Sequence, residues 1–203
     1  MPSAASIAKE FVKLSFSGDE IDPLTNLRLQ KLLYYAQAWS LVLRKSELFP
    51  DRIEAWRHGP VVPDVYNRLP GGIGNGIIES NMFKAFPDLD GDESLFINRV
   101  WDTYKQYSAW ALGQKTHTEQ PYIKAWGDRT QKGITRGSDE IRVEDLEEYF
   151  SEQDMPAPLA AYRRHCQKKE EQAWKNLAER KPLDKTKLSK LARFRSVSMT
   201  DKV

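Results

Sequence analysis

Residues 27–43, LRLQKLLYYAQAWSLVL, decide the fold. The stretch contains neither glycine nor proline, and Thr25 or Asn26 can cap its start, so it predicts a long helix. Apolar residues form one stripe at helical spacing and cover much of the remaining surface as well. A helix that is apolar almost all round packs against neighbours on several sides, so we expect this one at the centre of a bundle. Three polar positions on it would need hydrogen-bond partners if buried: Gln30, Lys31 and Gln37.

Amphipathic patterns and turn signals predict further helices on both sides of this one. A third long helix is expected to begin at the cap Ser94 and to end at Gly113, and Pro63 and Pro121 are suited to open short helices. The remaining predicted helices cover residues 3–16, 143–150 and 159–180. Short extended segments are expected at residues 48–56 and at Ile141. The fold class is therefore mainly α: a compact multi-helix bundle with at most a short β-hairpin, plus a basic C-terminal helix and tail.

Charge divides the chain into two parts. Residues 1–159 carry 18 Lys and Arg against 24 Asp and Glu, a net charge of −6, while residues 160–203 carry 13 against 5, a net charge of +8. Two prolines, Pro156 and Pro158, interrupt the chain just before the change in sign. We therefore expect a helical domain at residues 1–155 and, at residues 156–203, a basic helical extension that ends in a flexible tail. A basic tail suits an anionic partner, although a solvated helix with a frayed end explains the same composition.

Composition excludes several classes of protein. With 40% apolar and 30% charged residues the chain is globular, and no apolar stretch approaches the roughly 18 residues needed to cross a bilayer. No leader peptide precedes the first helix, so we expect a cytoplasmic protein without a membrane partner. The chain has one cysteine, Cys166, and three histidines, His58, His117 and His165, which do not recur at ligand spacing. We therefore expect no disulfide, no metal and no cofactor.

Signatures of catalysis are weak. The glycine-rich run at residues 70–76 partly resembles a dinucleotide loop, but it follows a predicted helix rather than a strand, which favours a flexible connector. Two groups of residues would support acid-base chemistry if folded together: His58 with Arg57 and Asp64, and His117 with Glu119. Such groups more often make local hydrogen bonds, and the sequence has no nucleotide, metalloprotease, hydrolase or kinase signature. We therefore expect that the chain is not an enzyme.

Three blocks of sequence resemble the Panacea domain, the family of antitoxins that includes SocA-like and phage-associated proteins. They are residues 29–39, LQKLLYYAQAW; Leu48-Phe49 followed by residues 54–66, EAWRHGPVVPDVY; and residues 116–122, THTEQPY. Ala38 stands where the family has glycine, and Tyr122 stands where tryptophan is usual. The order and spacing of the blocks agree with the family, so the resemblance extends over roughly residues 5 to 150. The basic region after Leu159 matches no part of it.

The resemblance implies a protein that binds and neutralises a toxin encoded beside it. In that family the same helical domain meets chemically unrelated toxins, which implies that the shared residues build the scaffold and that partner choice lies on variable surfaces. The first block is then a buried helix. The GPVVP corner at residues 59–63 is a rigid element that holds nearby side chains in place for recognition.

The basic extension leaves three hypotheses open. The leading one is an antitoxin that occludes its toxin by direct contact. The second, which SocA-like members imply, is a proteolytic adaptor that hands a toxin to an ATP-dependent protease, with the tail as a docking segment. The third is a nucleic-acid-binding regulator whose tail contacts phosphates, with Lys168 and Lys169 among the contacts. The candidate partner-binding residues are Arg57, His58, Asp64, His117 and Glu119 in the body, and Arg163, Arg164, Lys187, Lys190, Arg193 and Arg195 in the extension.

Overall fold

The computed structural model describes residues 1–17, 22–69, 76–127 and 139–179. Several predicted features lie outside the described residues: the helix stop at Gly18, most of the glycine-rich connector, the polar segment at 128–138 and the tail after residue 179. The chain separates into two compact units, Met1–Tyr162 and Arg163–Val203.

Helices dominate the described residues, and a two-stranded antiparallel hairpin accompanies them. This confirms the predicted mainly α fold class. In chain order the elements are α1 (Ala4–Ser15), α2 (Asn26–Arg44), β1 (Glu54–Trp56), β2 (Gly59–Val61), α3 (Pro63–Tyr66), α4 (Gly91–Tyr104), α5 (Ala109–His117), α6 (Gln120–Trp126), α7 (Val143–Ser151) and α8 (Ala157–Glu179). No helix in the described ranges combines the length and the apolarity that a membrane span needs.

The central helix is α2. Every residue from 28 to 42 is buried, because α1, α3, α4, α5, α7 and strand β2 all pack against this helix. The Thr25 hydroxyl caps its start by accepting a hydrogen bond from the amide of Arg28 at 3.3 Å. Lys45 ends it in the left-handed conformation, with φ 54°. The prediction of a central helix that packs on several sides is confirmed.

Aromatic rings fill the space between α2, α4 and α7. Tyr35 stacks on Tyr104 with 4.1 Å between the ring centroids, and Trp39 packs edge-on against Phe150 at 5.4 Å. The Trp39 Nε1 donates a 2.8 Å hydrogen bond to the Tyr104 hydroxyl. A buried indole N–H needs such an acceptor, so this bond helps to fix the position of α4 against α2.

The predicted corner is a β-hairpin followed by one turn of helix. Strands β1 and β2 pair antiparallel, with Trp56 opposite Gly59 at the end next to the turn. The amide of Ile141 donates to the carbonyl of Ile53 at 2.8 Å, so the extended residue predicted at this position lies beside the hairpin. Pro63 occupies the first turn of α3, as expected for a residue with a fixed φ and no amide donor.

The predicted third long helix is wrong, because this region forms two helices. Helix α4 ends at Tyr104 and α5 begins after Ser108, so Gly113 lies inside α5 rather than at a helix end. The break has two causes. Arg28 donates a hydrogen bond to the carbonyl of Lys105, just after α4, and the Ser108 hydroxyl accepts one from the amide of Ala111 at 3.1 Å, which starts the new helix.

The predicted N-cap of α4 is also wrong. Asp90, not Ser94, caps this helix: its Oδ1 accepts hydrogen bonds from the amides of Asp92 at 2.9 Å and Glu93 at 2.7 Å. A carboxylate serves this position well, since it satisfies two free amides and also favours the positive end of the helix dipole. Ser94 instead lies within the helix, where its hydroxyl donates to the Glu10 carboxylate at 2.6 Å.

The first unit includes the start of α8. Leu159 and Tyr162 are buried, and the Tyr162 ring lies 5.2 Å from the Phe96 ring on α4. The Tyr162 hydroxyl also donates to the Asp92 carboxylate at 3.2 Å. These contacts explain why the unit extends to residue 162, beyond the boundary that composition suggested after residue 155.

Replacing Leu33 with alanine tests the central position of α2. Leu33 is fully buried, so we expect Leu33→Ala to lower the free energy of unfolding by about 2–5 kcal/mol. Denaturant unfolding followed by circular dichroism measures the loss. Leu27→Ala, at a half-buried position at the start of the same helix, is the matched control and should cost less. A loss below about 1 kcal/mol for Leu33→Ala would contradict the central placement.

Candidate functional site

Two glutamines on α2 fasten this helix to the segments that follow it. The Gln37 Oε1 accepts hydrogen bonds from the amides of Leu48 at 3.0 Å and Phe49 at 3.2 Å, and its Nε2 donates to the Phe49 carbonyl at 3.2 Å. The Gln30 Oε1 accepts from the amide of Val62 at 2.8 Å. Both side chains therefore bind main-chain atoms, as expected for buried amides.

Lys31 makes a third bond of this kind from the same helix. Its side chain is fully buried, and the Nζ donates to the carbonyl of Pro60 at 2.9 Å. Gly59, with φ 97°, leaves room for it: a Cβ there would lie 2.6 Å from the Lys31 Nζ and 2.8 Å from the Thr116 Oγ1. Burial disfavours the charged form and lowers the pKa of Lys31 from 10.5 to about 7.

The carboxylate of Glu119, the N-cap residue of α6, is also buried. The Tyr35 hydroxyl donates to the Glu119 Oε1 at 3.0 Å, and the Lys115 Nζ lies 3.8 Å from that oxygen. The other oxygen, Oε2, and the Tyr34 hydroxyl have no hydrogen-bond partner of standard geometry among the described residues. Burial raises the pKa of Glu119 from 4.5 to about 7, and Tyr34, Lys115 and Tyr35 oppose the rise.

The turn between β1 and β2 consists of Arg57 and His58, both exposed, and it is held from behind. The Tyr122 hydroxyl donates to the carbonyl of Trp56 at 2.8 Å, and the His117 ring stands 4.9 Å from the Tyr122 ring. The His117 Nε2 is buried and has no hydrogen-bond partner of standard geometry among the described residues. Burial, followed by the nearby charge of Lys31, lowers the pKa of His117.

Helix α5 continues this exposed surface. Trp110, Gln114 and His117 stand four and then three residues apart, so they share one face of the helix. Trp110 is 71% exposed. Gly113 lies between Trp110 and Gln114 in the chain, but it is buried and does not contribute to the exposed face.

We call the α5–turn surface the set formed by Trp110, Gln114, His117, Arg57 and His58. It brings together three of the five residues that the sequence nominated in the body: Arg57, His58 and His117. Asp64 is exposed on α3, and no described contact joins it to this set. Glu119 is 2% exposed, so its carboxylate supports the scaffold instead of reaching the surface.

In the second unit, Arg163 and Arg164 are exposed on α8. The other candidates in the extension, Lys187, Lys190, Arg193 and Arg195, lie outside the described residues.

The chemistry of the buried groups is that of structural support. Lys31 and Glu119 both have a pKa shifted toward neutrality, which is also a feature of catalytic groups. An acid or base must come within hydrogen-bonding distance of a substrate, however, and both side chains are enclosed. Within the described residues, no group of three or more His, Cys, Asp or Glu side chains is arranged to hold a metal ion.

Sequence reasoning did not single out Trp110, which lay within the predicted long helix and received no role of its own. The signal that would have found it is Ser108, a favourable N-cap whose position starts a new helix and turns Trp110 outward.

The raised pKa of Glu119 predicts how stability changes with pH. Between pH 4.5 and about 7 the folded state keeps the proton that the unfolded chain has lost, so the free energy of unfolding should fall as pH rises through this range, by about 3 kcal/mol in total. Glu119→Gln should remove most of this fall, which urea unfolding at a series of pH values measures. Glu148→Gln, at an exposed position on α7, should keep the wild-type slope. An unchanged slope in Glu119→Gln would refute the assignment.

Part of the chain is similar to known proteins. Residues 29–123 match the family model described as Antitoxin SocA-like, Panacea domain. Antitoxin SocA from Caulobacter vibrioides (strain NA1000 / CB15N) is 36% identical over 104 residues, which cover 47% of this chain and 55% of that protein. The chain thus spans about half the length of the curated relative that it matches. No solved structure gave a significant match. The resemblance of the central helix, the hairpin corner and the THTEQPY segment to the Panacea domain is therefore confirmed over residues 29–123.

Proposed function

We propose that the chain is an antitoxin that neutralises a cognate protein toxin by direct binding and catalyses no reaction itself. The observation that carries this proposal is the match of residues 29–123 to the Antitoxin SocA-like Panacea domain. The similarity to Antitoxin SocA supports it. We place the toxin and this chain together in the cytoplasm.

The internal contacts of the matched region support binding through the exterior. Gln30, Lys31 and Gln37 are buried and bond to partners inside the fold, mostly main-chain atoms, so they do not reach another protein. Among the residues of the hairpin corner, Arg57 and His58 are exposed. A toxin that meets this domain would therefore contact the turn and its neighbours while the buried bonds keep the turn in place.

The same burial supports a role without catalysis. Proton transfer requires an acid or base within about 3 Å of the substrate, or connected to it through one water molecule. The two groups with a pKa near 7, Lys31 and Glu119, are 0% and 2% exposed. Binding, in contrast, needs only an exterior of fixed shape and charge.

The basic extension would add a second contact. Arg163, Arg164 and Lys168 are exposed on α8, and residues 160–203 carry a net charge of +8. An acidic surface of the toxin would be attracted to this charge. The same charge is the one observation that favours the nucleic-acid alternative, in which these side chains contact phosphates.

Co-expression tests the antitoxin proposal. The reading frame beside this one is expressed alone and then with this chain, and growth is followed together with the level of the tagged neighbour. We expect the neighbour alone to stop growth and this chain to restore it, because a bound toxin cannot reach its target. A neighbour that is harmless, or whose toxicity this chain does not relieve, would overturn the proposal.

The level of the toxin separates occlusion from delivery to a protease. Under occlusion the toxin accumulates in the rescued cells. Under delivery the level of the toxin falls in the rescued cells. Strains that each lack one ATP-dependent protease are then compared, and the strain without the protease that receives the toxin should regain both the toxin and the growth defect.

Salt dependence separates the nucleic-acid alternative. Affinity for a DNA duplex that falls with a log-log slope of roughly −0.9 per neutralised phosphate would support it, and no binding at low salt would reject it.

A further inference from the structure

We propose that the α5–turn surface is the docking site for a protein segment that sets a carboxylate against Arg57 and an apolar side chain against Trp110. The inference rests on the proposed antitoxin function, since the segment belongs to the toxin. It adds which part of the exterior is used and which chemistry the toxin must present there.

His117 makes the surface continuous. It lies seven residues after Trp110 on α5, about 10 Å along the helix axis at 1.5 Å per residue. Its ring lies 4.9 Å from the ring of Tyr122, whose hydroxyl donates to the carbonyl of Trp56, the residue before Arg57, at 2.8 Å. The aromatic end and the basic end are thus parts of one surface, a span that three residues of extended chain or two turns of helix would cover.

The two ends have different chemistry. Trp110 leaves 71% of its surface in solvent, and tryptophan is among the residues that dominate binding energy in protein interfaces. Arg57 is exposed and forms no ion pair with any described residue. Its planar guanidinium suits a carboxylate that accepts two parallel hydrogen bonds. A segment with one apolar and one acidic side chain complements both ends.

The charge of the body favours a protein over a nucleic acid at this surface. Residues 1–159 carry a net charge of −6, which repels a polyanion but tolerates a single carboxylate next to a cation. Glu119, the N-cap residue of α6, is buried. Arg57 therefore meets little competition from within its own chain.

The surface is preorganised. Tyr122 holds the end of β1 through the Trp56 carbonyl at 2.8 Å, and the His117 ring on α5 lies 4.9 Å from the Tyr122 ring. Lys31 holds the start of β2 through the carbonyl of Pro60. Because the turn is already ordered in the free protein, binding loses less conformational entropy.

The first experiment measures by calorimetry how tightly the wild-type chain binds the purified product of the neighbouring reading frame that co-expression identifies. This product is the probe for the variants that follow.

The second experiment addresses the two ends. Trp110→Ala and Arg57→Glu should each weaken binding at least about tenfold without lowering the melting temperature. Ile77→Ala and Lys84→Glu change an exposed apolar and an exposed basic residue elsewhere, so both should bind and rescue as the wild type does.

The outcomes distinguish the inference from the function on which it rests. If wild-type chain neither binds nor rescues, the antitoxin proposal fails and the inference falls with it. If the wild type binds and both surface variants bind equally well, only the surface is wrong. A dimer of this chain that Trp110→Ala dissolves, or binding of a DNA duplex that Arg57→Glu abolishes, would assign the surface to another occupant and overturn the inference.

Discussion

The hydrogen bonds between side chains of α2 and the main chain of the following segments hold this fold together. A helix buried on every side can carry polar residues only if each finds a partner, since an unpaired buried group costs about 1–3 kcal/mol. Gln37 binds residues 48 and 49, Lys31 binds Pro60 and Gln30 binds Val62. The chain from α2 to α3 therefore has one favourable path, and the hairpin lies at its end.

The hairpin transmits this order to the helices that follow. Its strands are short, and three residues in each would not be stable alone. The hairpin persists because Tyr122 on α6 binds the Trp56 carbonyl and because residues 139–141 pair with its outer side. Glu119, at the start of α6, is in turn held by Tyr35 on α2. The network thus returns to the central helix from which it began.

Sequence patterns correctly predicted those helices whose conformation depends on neighbouring residues. The long apolar run of α2 and the proline that opens α3 predicted both elements. The end of α4 at Tyr104 depends on a distant contact, because the carbonyl of Lys105 is bound by Arg28, 77 residues earlier in the chain. Only the start of α5 had a local signal, the N-cap Ser108. The burial of Glu119 depends likewise on Tyr35, 84 residues away. The exposure of Arg57 and His58 follows from their place in a tight turn, whereas that of Trp110 follows from the unforeseen helix start.

Main-chain bonding has a consequence for how such a scaffold diversifies. The glutamine and lysine side chains recognise carbonyls and amides at residues 48, 49, 60 and 62, and every amino acid except proline offers both groups. Side chains that point outward from the same segments can drift without loosening the attachment. A protein of this kind can acquire a new target through single substitutions on its surface, while the buried hydrogen bonds stay the same.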